Sequence, residues 1–305
     1  MELRHLRYFV AVAEEQHFTR AAERLGMQQP PLSLQIRALE SELGFELFVR
    51  HPKGASLTAA GAVFFEEAQA ILAGIDAAAA RAARVASGAT GRLTIGLTSS
   101  AAAHGLIPAV MRRYRAAWPD VQVDFSERNA AELGEALAER RLQVAFLRLP
   151  VGEPPGVAFT ELLMEPMLLA LPTGHAAIAR DRAGALCPVT LAALDGETVI
   201  LVRRRGAPGM YANLMAACAA ARVAPARVIE VERMLTNISL VAAGAGISAV
   251  PASMQGFHAD SVVYCPLADA SLAAPLTMGV RDDDSAPALR HFVDTVHAVL
   301  ADWRA

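Results

Sequence analysis

The chain has 305 residues, 54% hydrophobic and 19% charged, which is long enough for two or more domains with separate cores. Its formal net charge of −3 excludes a globally basic coat, so any grip on nucleic acid has to come from cations gathered on one surface. Three widely separated cysteines exclude a disulfide framework and a zinc site and fit a reducing compartment.

The first predicted element is a helix in MELRHLRYFVAVAEEQHF, with Leu3, Leu6, Phe9 and Val10 on one face and Val12 and Ala13 extending it. The stretch from Phe18 to Leu43 then reads as helix, tight turn, helix. Thr19 is placed to cap the first of these, and Ala21, Ala22 and Leu25 give it an apolar face. Gly26 follows where a left-handed stop is expected. Pro30 and Pro31 suit a first helical turn, which needs no amide donors. Leu32, Ile36, Leu39 and Leu43 recur at steps of four, three and four, which turns Gln29, Ser33, Gln35 and Arg37 toward the exposed side. An apolar step at Leu43, Phe45, Leu47 and Phe48 leads into a small, basic turn carrying Arg50 and Lys53. Three helices and a basic hairpin make a winged helix-turn-helix, a fold suited to the major groove.

From Thr58 to Ser87 the chain is Ala-rich and free of proline. Phe64, Ala68, Ile71, Ile75, Ala78, Ala82 and Val85 follow steps of four and three, the seam of a coiled coil between subunits. Gly88 and Gly91 end that helix. Strand and helix then alternate: RLTIGL, GLIPAVMRRYRAAWP, VQVDFS, AELGEALAERR and LQVAFLRL, followed by MLLALP, TVILV, NLMAACAAARV, RVIEVE, MLTNISLVAAGAG, ISAVP, SVVYCPL, PLTMGVR and a closing helix from Pro287. Short connections between strands and helices predict parallel sheets covered on both faces. The run Leu162–Leu171 is broken by Glu165 and Pro166 and is too short for a bilayer, and the charged amino terminus lacks signal-peptide features. A cytoplasmic protein with no membrane contact is the expectation.

The motifs LRYFVAVAEEQHFTRAAERL, QPPLSLQIRALE, LGFELFVR and LTAAG resemble the LysR-type transcriptional regulators, most of all the muconate-responsive regulators of benzoate, catechol and chlorocatechol degradation. LVAAGAGISAVPAS and LPTGH extend the resemblance over essentially the whole chain. It implies an α+β multidomain protein with a winged helix-turn-helix over residues 1–58 (helix-turn-helix at about 18–37). A linker and dimerisation helix over 59–88 follows, then a two-lobed α/β periplasmic-binding-protein-like effector domain over 89–305. Lobe I spans about 92–161 and 268–305, and lobe II about 162–267. The family also implies a homodimer assembling to a homotetramer on two-fold related double-stranded DNA, contact with RNA polymerase, and control by a small-molecule effector, in most cases as an activator.

For DNA the side chains point the same way. Gln29 matches adenine's donor and acceptor edge, and Ser33 can donate to base or phosphate. Pro30 and Pro31 can pack on a thymine methyl, while Arg50 and Lys53 suit phosphate or the minor groove. Close relatives carry a basic or polar residue directly after the Ser; Leu34 stands there instead and removes a possible contact. In the second region Thr98, Ser99 and Ser100 follow the first strand, Asn129 the second and Arg148 the third, where ligands bind in open α/β sheets. In the aromatic-pathway regulators the corresponding serine, threonine and arginine form the effector cleft; Asn129 replaces the threonine. RRRGAPGMY adds Arg203, Pro208 and Gly209 from across the cleft, more basic than in relatives. Hydroxyls and cations together suggest a small carboxylate. An enzyme or a solute-binding protein on the two-lobed domain is the alternative reading, but no nucleophile elbow, dinucleotide fingerprint or phosphate loop is present. The scattered histidines lack metal spacing, so neither metal nor cofactor is expected.

Overall fold

The computed structural model describes residues 1–52, 54–148, 152, 154–202, 208–268 and 272–304. They form two units, Met1–Val85 and Ala86–Ala305.

The first unit holds α1 (Leu3–Glu15), α2 (Phe18–Arg24), α3 (Gln29–Leu43), β1 (Phe48–His51), β2 (Gly54–Leu57) and α4 (Ala59–Ala86), the last reaching one residue beyond it. Thr19 is not the cap of α2. His17 is extended and its Nδ1 accepts from the Thr19 amide at 3.2 Å, because the helix starts one residue earlier and Thr19 contributes one of its orphan amides. Gly26 takes φ +66°, and the amides of Gly26 and Met27 return to the Glu23 and Ala22 carbonyls to close the turn. Leu32, Ile36 and Leu39 are fully buried against Leu6, Phe9, Val12, Ala21 and Ala22. Two of the apolar positions expected in this core fall outside it. Leu3 opens α1 beyond the packed turns, and Phe45 follows the left-handed Gly44; they are 45% and 43% exposed.

The wing is an antiparallel hairpin with Phe48 opposite Leu57 and His51 opposite Gly54. The Thr58 hydroxyl accepts from the Gly61 amide at 2.8 Å and starts α4. Gly61 lies against the Leu47 carbonyl so closely that a Cβ would overlap it. The next turns of α4 complete the core: Phe64 sits 5.1 Å from the Phe9 ring, and Ala68 is fully buried. Those two seam residues therefore belong to their own domain, contrary to the expectation that they meet another subunit. Ile71, Ala78, Ala82 and Val85 are exposed and Ile75 is half-buried.

The second unit holds β3 (Gly91–Leu97), α5 (Ser99–Ala102), α6 (Leu106–Ala117), β4 (Val121–Glu127), α7 (Ala130–Ala138), β5 (Val144–Leu147), β6 (Val157–Pro172), β7 (Thr198–Val202), α8 (Pro208–Ala220), β8 (Arg227–Val231), α9 (Met234–Ala242), β9 (Ser248–Pro251), β10 (Val262–Pro266), β11 (Ala273–Arg281) and α10 (Pro287–Arg304). Strands run in the order β10-β6-β11-β5-β3-β4, with β9 also on β6, and β7 pairs with β8. β3 is parallel to β4 and β5, as helical crossovers require. β11 is antiparallel to both β5 and β6, so the sheet is mixed rather than parallel throughout. It arrives from the far end of the sequence without a crossover helix and fills the slot between them.

β6 is shared by the two lobes. Residues 157–166 pair with β11, and Met167–Pro172 pair with β9 and β10. The change of partners thus comes at Pro166–Met167, a few residues beyond the predicted boundary at Leu162, whose side chain packs in the first lobe. In that lobe α6 and α10 cover one face, with the Tyr114 hydroxyl donating to the Ala288 carbonyl at 2.9 Å, and α7 covers the other. In the second lobe α8 and α9 cover opposite faces.

Candidate functional site

Two surfaces carry the residues singled out above. On α3, Gln29 Nε2 donates to Ser33 Oγ at 2.8 Å, and His5 Nε2 meets Gln35 Oε1 at 2.9 Å. These four polar side chains are half-buried and engaged within the unit. Pro30, Pro31, Leu34 and Arg37 are exposed. The Arg50 guanidinium lies 4.5 Å over the Phe18 ring, which holds the wing cation beside the entry of α2. Thr19 is exposed on α2, and Lys53 lies outside the described residues.

The second surface is a cavity of about 70 Å³ between the lobes. From the first lobe it receives the carboxyl ends of three adjacent strands: Thr98, Ser99 and Ser100 after β3, Arg128 and Asn129 after β4, and Arg148 after β5. From the second it receives Leu201 and Val202 of β7, Glu232 and Arg233 after β8, and Met234 and Asn237 of α9. Three arginines and one glutamate line the wall, Arg148 being paired with Glu165 at 3.0 Å and Arg233 lying 3.9 Å from Glu127. Pro208 and Gly209 open α8, and Arg203 lies outside the described residues.

Local structure fixes what each side chain can offer. Thr98 caps α5, accepting from the Ala101 amide at 3.3 Å. Asn129 caps α7, its Oδ1 accepting from the Glu132 amide at 3.0 Å, which leaves its amide hydrogens free to donate. Ser99 Oγ accepts from the Met234 amide at 3.2 Å and so joins the lobes, keeping its own proton to donate. Ser100 is buried and contributes its carbonyl, which accepts from Arg148 Nη2 at 2.6 Å.

Arg148 is 3% exposed, and its Nη2 also donates to Ser253 Oγ at 2.8 Å and pairs with Glu165 Oε1 at 3.0 Å. Its Nε and Nη1 have no hydrogen-bond partner among the described residues. Burial lowers the guanidinium pKa while Glu165 opposes that shift. The other Glu165 oxygen lies 3.4 Å from His104 Nε2. That contact is not an ion pair at neutral pH, because burial first and Arg148 also lower the His104 pKa against the pull of Glu165. Across the cavity, Asn237 Nδ2 donates to the Ile200 carbonyl at 3.1 Å. This fixes the amide orientation and leaves the buried Oδ1 without a partner among the described residues.

The sequence singles out the first-lobe wall of this cavity and offers only Arg203, Pro208 and Gly209 from across it. Ser253 and Asn237 carry no signal there, His104 reads only as a scattered histidine without metal spacing, and Glu165 only as a break in an apolar run. The signal available was Glu165, a charge inside an apolar strand: it was taken for an interruption, whereas a buried charge calls for a partner.

The chain matches the family model "Bacterial regulatory helix-turn-helix protein, lysR family" over residues 3–62 and "LysR substrate binding domain" over 86–301. Among curated relatives it is 37% identical to the "HTH-type transcriptional regulator BudR" of Raoultella terrigena, over 96% of this chain and 99% of that protein. It is 34% identical to the "HTH-type transcriptional regulator BenM" of Acinetobacter baylyi (strain ATCC 33305 / BD413 / ADP1), over 99% and 97%. Among solved structures, full-length CbnR complexed with its target DNA aligns with a TM-score of 0.81 at 27% identity, over 98% of this chain and 100% of that one. The two units therefore define a DNA-binding transcription regulator with an effector-binding domain. The chain belongs to the LysR family. Among the described residues no helix is long and apolar enough to cross a membrane, and no cluster of His, Cys, Asp and Glu is placed to hold a metal.

Proposed function

We propose that this regulator is switched by a small carboxylate bound between the lobes, on Ser99, Asn129 and Arg148, and acts as an activator, with aromatic-compound degradation genes as its targets. The observation that carries the proposal is Arg148: a guanidinium 3% exposed, with two nitrogens, Nε and Nη1, unpartnered among the described residues, in the wall of a cavity that Arg128 and Arg233 also line. A carboxylate accepts charge-assisted hydrogen bonds from such a group. The space of about 70 Å³ favours an acid of few atoms, since pockets for larger ligands run to about 300–1,000 Å³. The aromatic assignment rests on the motifs shared with the muconate-responsive regulators. Binding acts as a switch only if one arrangement of the assembly holds the acid more tightly than another. The exposed stretch of α4, Ile71 to Val85, is the surface on which a dimer would form, with a tetramer and contact with RNA polymerase following from the family.

Calorimetric titration of the full chain with muconate, benzoate and short aliphatic acids tests the ligand. Ser99→Ala should weaken the bound acid by about 1.5–3 kcal/mol, the value of a hydrogen bond to a charged group. Silence across the panel would end the carboxylate reading. Equal affinity for wild type and variant would remove Ser99 from the site. Binding that leaves DNA footprints and promoter output unchanged would end the switch.

A further inference from the structure

The polar residues chosen from the sequence for base reading are not the ones most presented by α3. Gln29 and Ser33 are bonded to each other, and Gln35 is bonded to His5 of α1; all three are half-buried. These bonds fix how each side chain is turned, while Gln29 keeps its Oε1, Ser33 its hydroxyl proton and Gln35 its amide hydrogens. The exposed face runs instead through Pro30, Pro31, Leu34, Arg37 and Ala38. On a helix, residues three and four apart are neighbours. Leu34 therefore lies at the middle of that face, ringed by the other four, and is 65% exposed. Leu32, Ile36 and Leu39, on the same helix, are fully buried. The core is complete without Leu34, which leaves its side chain free for a contact outside the unit. Its immediate surround of two prolines, an alanine and one arginine offers a largely apolar contact with a cation at the rim. In the major groove the apolar feature that distinguishes one base from another is the C5-methyl group of thymine.

We infer that Leu34 is a specificity-determining residue of this regulator, reading a thymine methyl in each half-site of its operator. The contact forms no hydrogen bond and closes water out between a leucine side chain and one methyl group. Its worth is that of one buried methyl, about fourfold in affinity. Operator choice at that base pair would then be made by shape and apolarity where a polar residue would have used a hydrogen bond.

The experiment removes only the methyl. The full-length protein selects its operator from a random duplex library. Each thymine of the selected site is then replaced singly by deoxyuridine, and affinity is measured by fluorescence anisotropy at fixed salt. The expected result is one thymine per half-site where deoxyuridine costs wild type about fourfold and costs Leu34→Ala nothing, with the variant still penalised at any thymine touched by the prolines. Leu34→Gln, reselected from the same library, should change its preferred base at that position. Both variants sit at an exposed helical site and should keep the far-ultraviolet spectrum of wild type. The inference fails if wild type and Leu34→Ala respond alike at every thymine, or if Leu34→Gln selects the wild-type operator. It also fails if Leu34→Ala changes the sedimentation of the free protein, which would assign Leu34 to contact between copies. Failure to enrich any sequence would count against DNA reading by this chain as a whole, a different outcome from enrichment without a methyl effect.

Discussion

His104 shows how one buried residue can set the acid limit of the effector domain. It is 8% exposed, its ring lies 5.7 Å from that of Trp303, and its Nδ1 accepts from the Leu106 amide at 3.1 Å. The Nε2 proton of the neutral tautomer therefore faces Glu165, which is itself held by Arg148 and Ser253. Burial and the nearby guanidinium depress the imidazole pKa below its ordinary 6.5. Between that depressed value and 6.5 the unfolded chain binds more protons than the folded one, so stability is present above 6.5 and is lost as the pH falls below it. Calorimetric melting at about pH 7.5 and about pH 5.5 should show a larger fall for wild type than for His104→Gln; equal falls would clear His104 of the effect. Arg148 was legible in the sequence because a cation closing an apolar strand has few structural reasons to be there. Its partners were not, because Glu165, Ser253 and Ser100 reach it from other elements, and only folding brings them within 3.0 Å.

Among the elements, α4 has two environments along one apolar stripe. Its first turns are held by Gly61 against Leu47 and by Phe64 and Ala68 in the winged-helix core. Further on, Ile71 is 44% exposed and Val85 63% exposed. A stripe read from sequence has a period but no address, so the seam was assigned to one partner along its whole length. The turn and the start of α3 were more legible, though the cap of α2 was not: Gly26 and the paired prolines act within a few residues of themselves, and local chemistry fixes local backbone. Ile71→Asp would place a carboxylate in the exposed part of the stripe, at a cost of several kcal/mol if a second helix covers it without a cation. Sedimentation velocity should then show smaller assemblies while the winged-helix core stays folded. An unchanged size distribution would mean that this stretch does not hold subunits together.

At the scale of the molecule, the two units have separate cores, so a ligand of one need not steady the other. A carboxylate present at about 100 times its dissociation constant contributes about 2.7 kcal/mol to the unit that binds it. That corresponds to roughly 2–4 °C of melting temperature per kcal/mol for a domain of this size. Scanning calorimetry should show that rise for the transition of the 86–305 unit alone; an equal rise for both would indicate that the units melt together. The alternation of strands and helices revealed an α/β domain in the sequence, but nothing local announces that β11 will enter between β5 and β6 in the opposite sense. β6 carries a constraint of its own. Met167, Leu169 and Leu171 pack in one core of the second lobe, and Leu168 and Ala170 in the other. Both faces are filled, so the strand works as a tape with two tracks, and only its phase decides which track a residue occupies. Losing a single residue near Pro166 would swap the tracks from there on, driving leucines into the space fitted to Ala170 without altering the composition of the strand. Substitutions here can be graded by size; a change of count would be all or nothing.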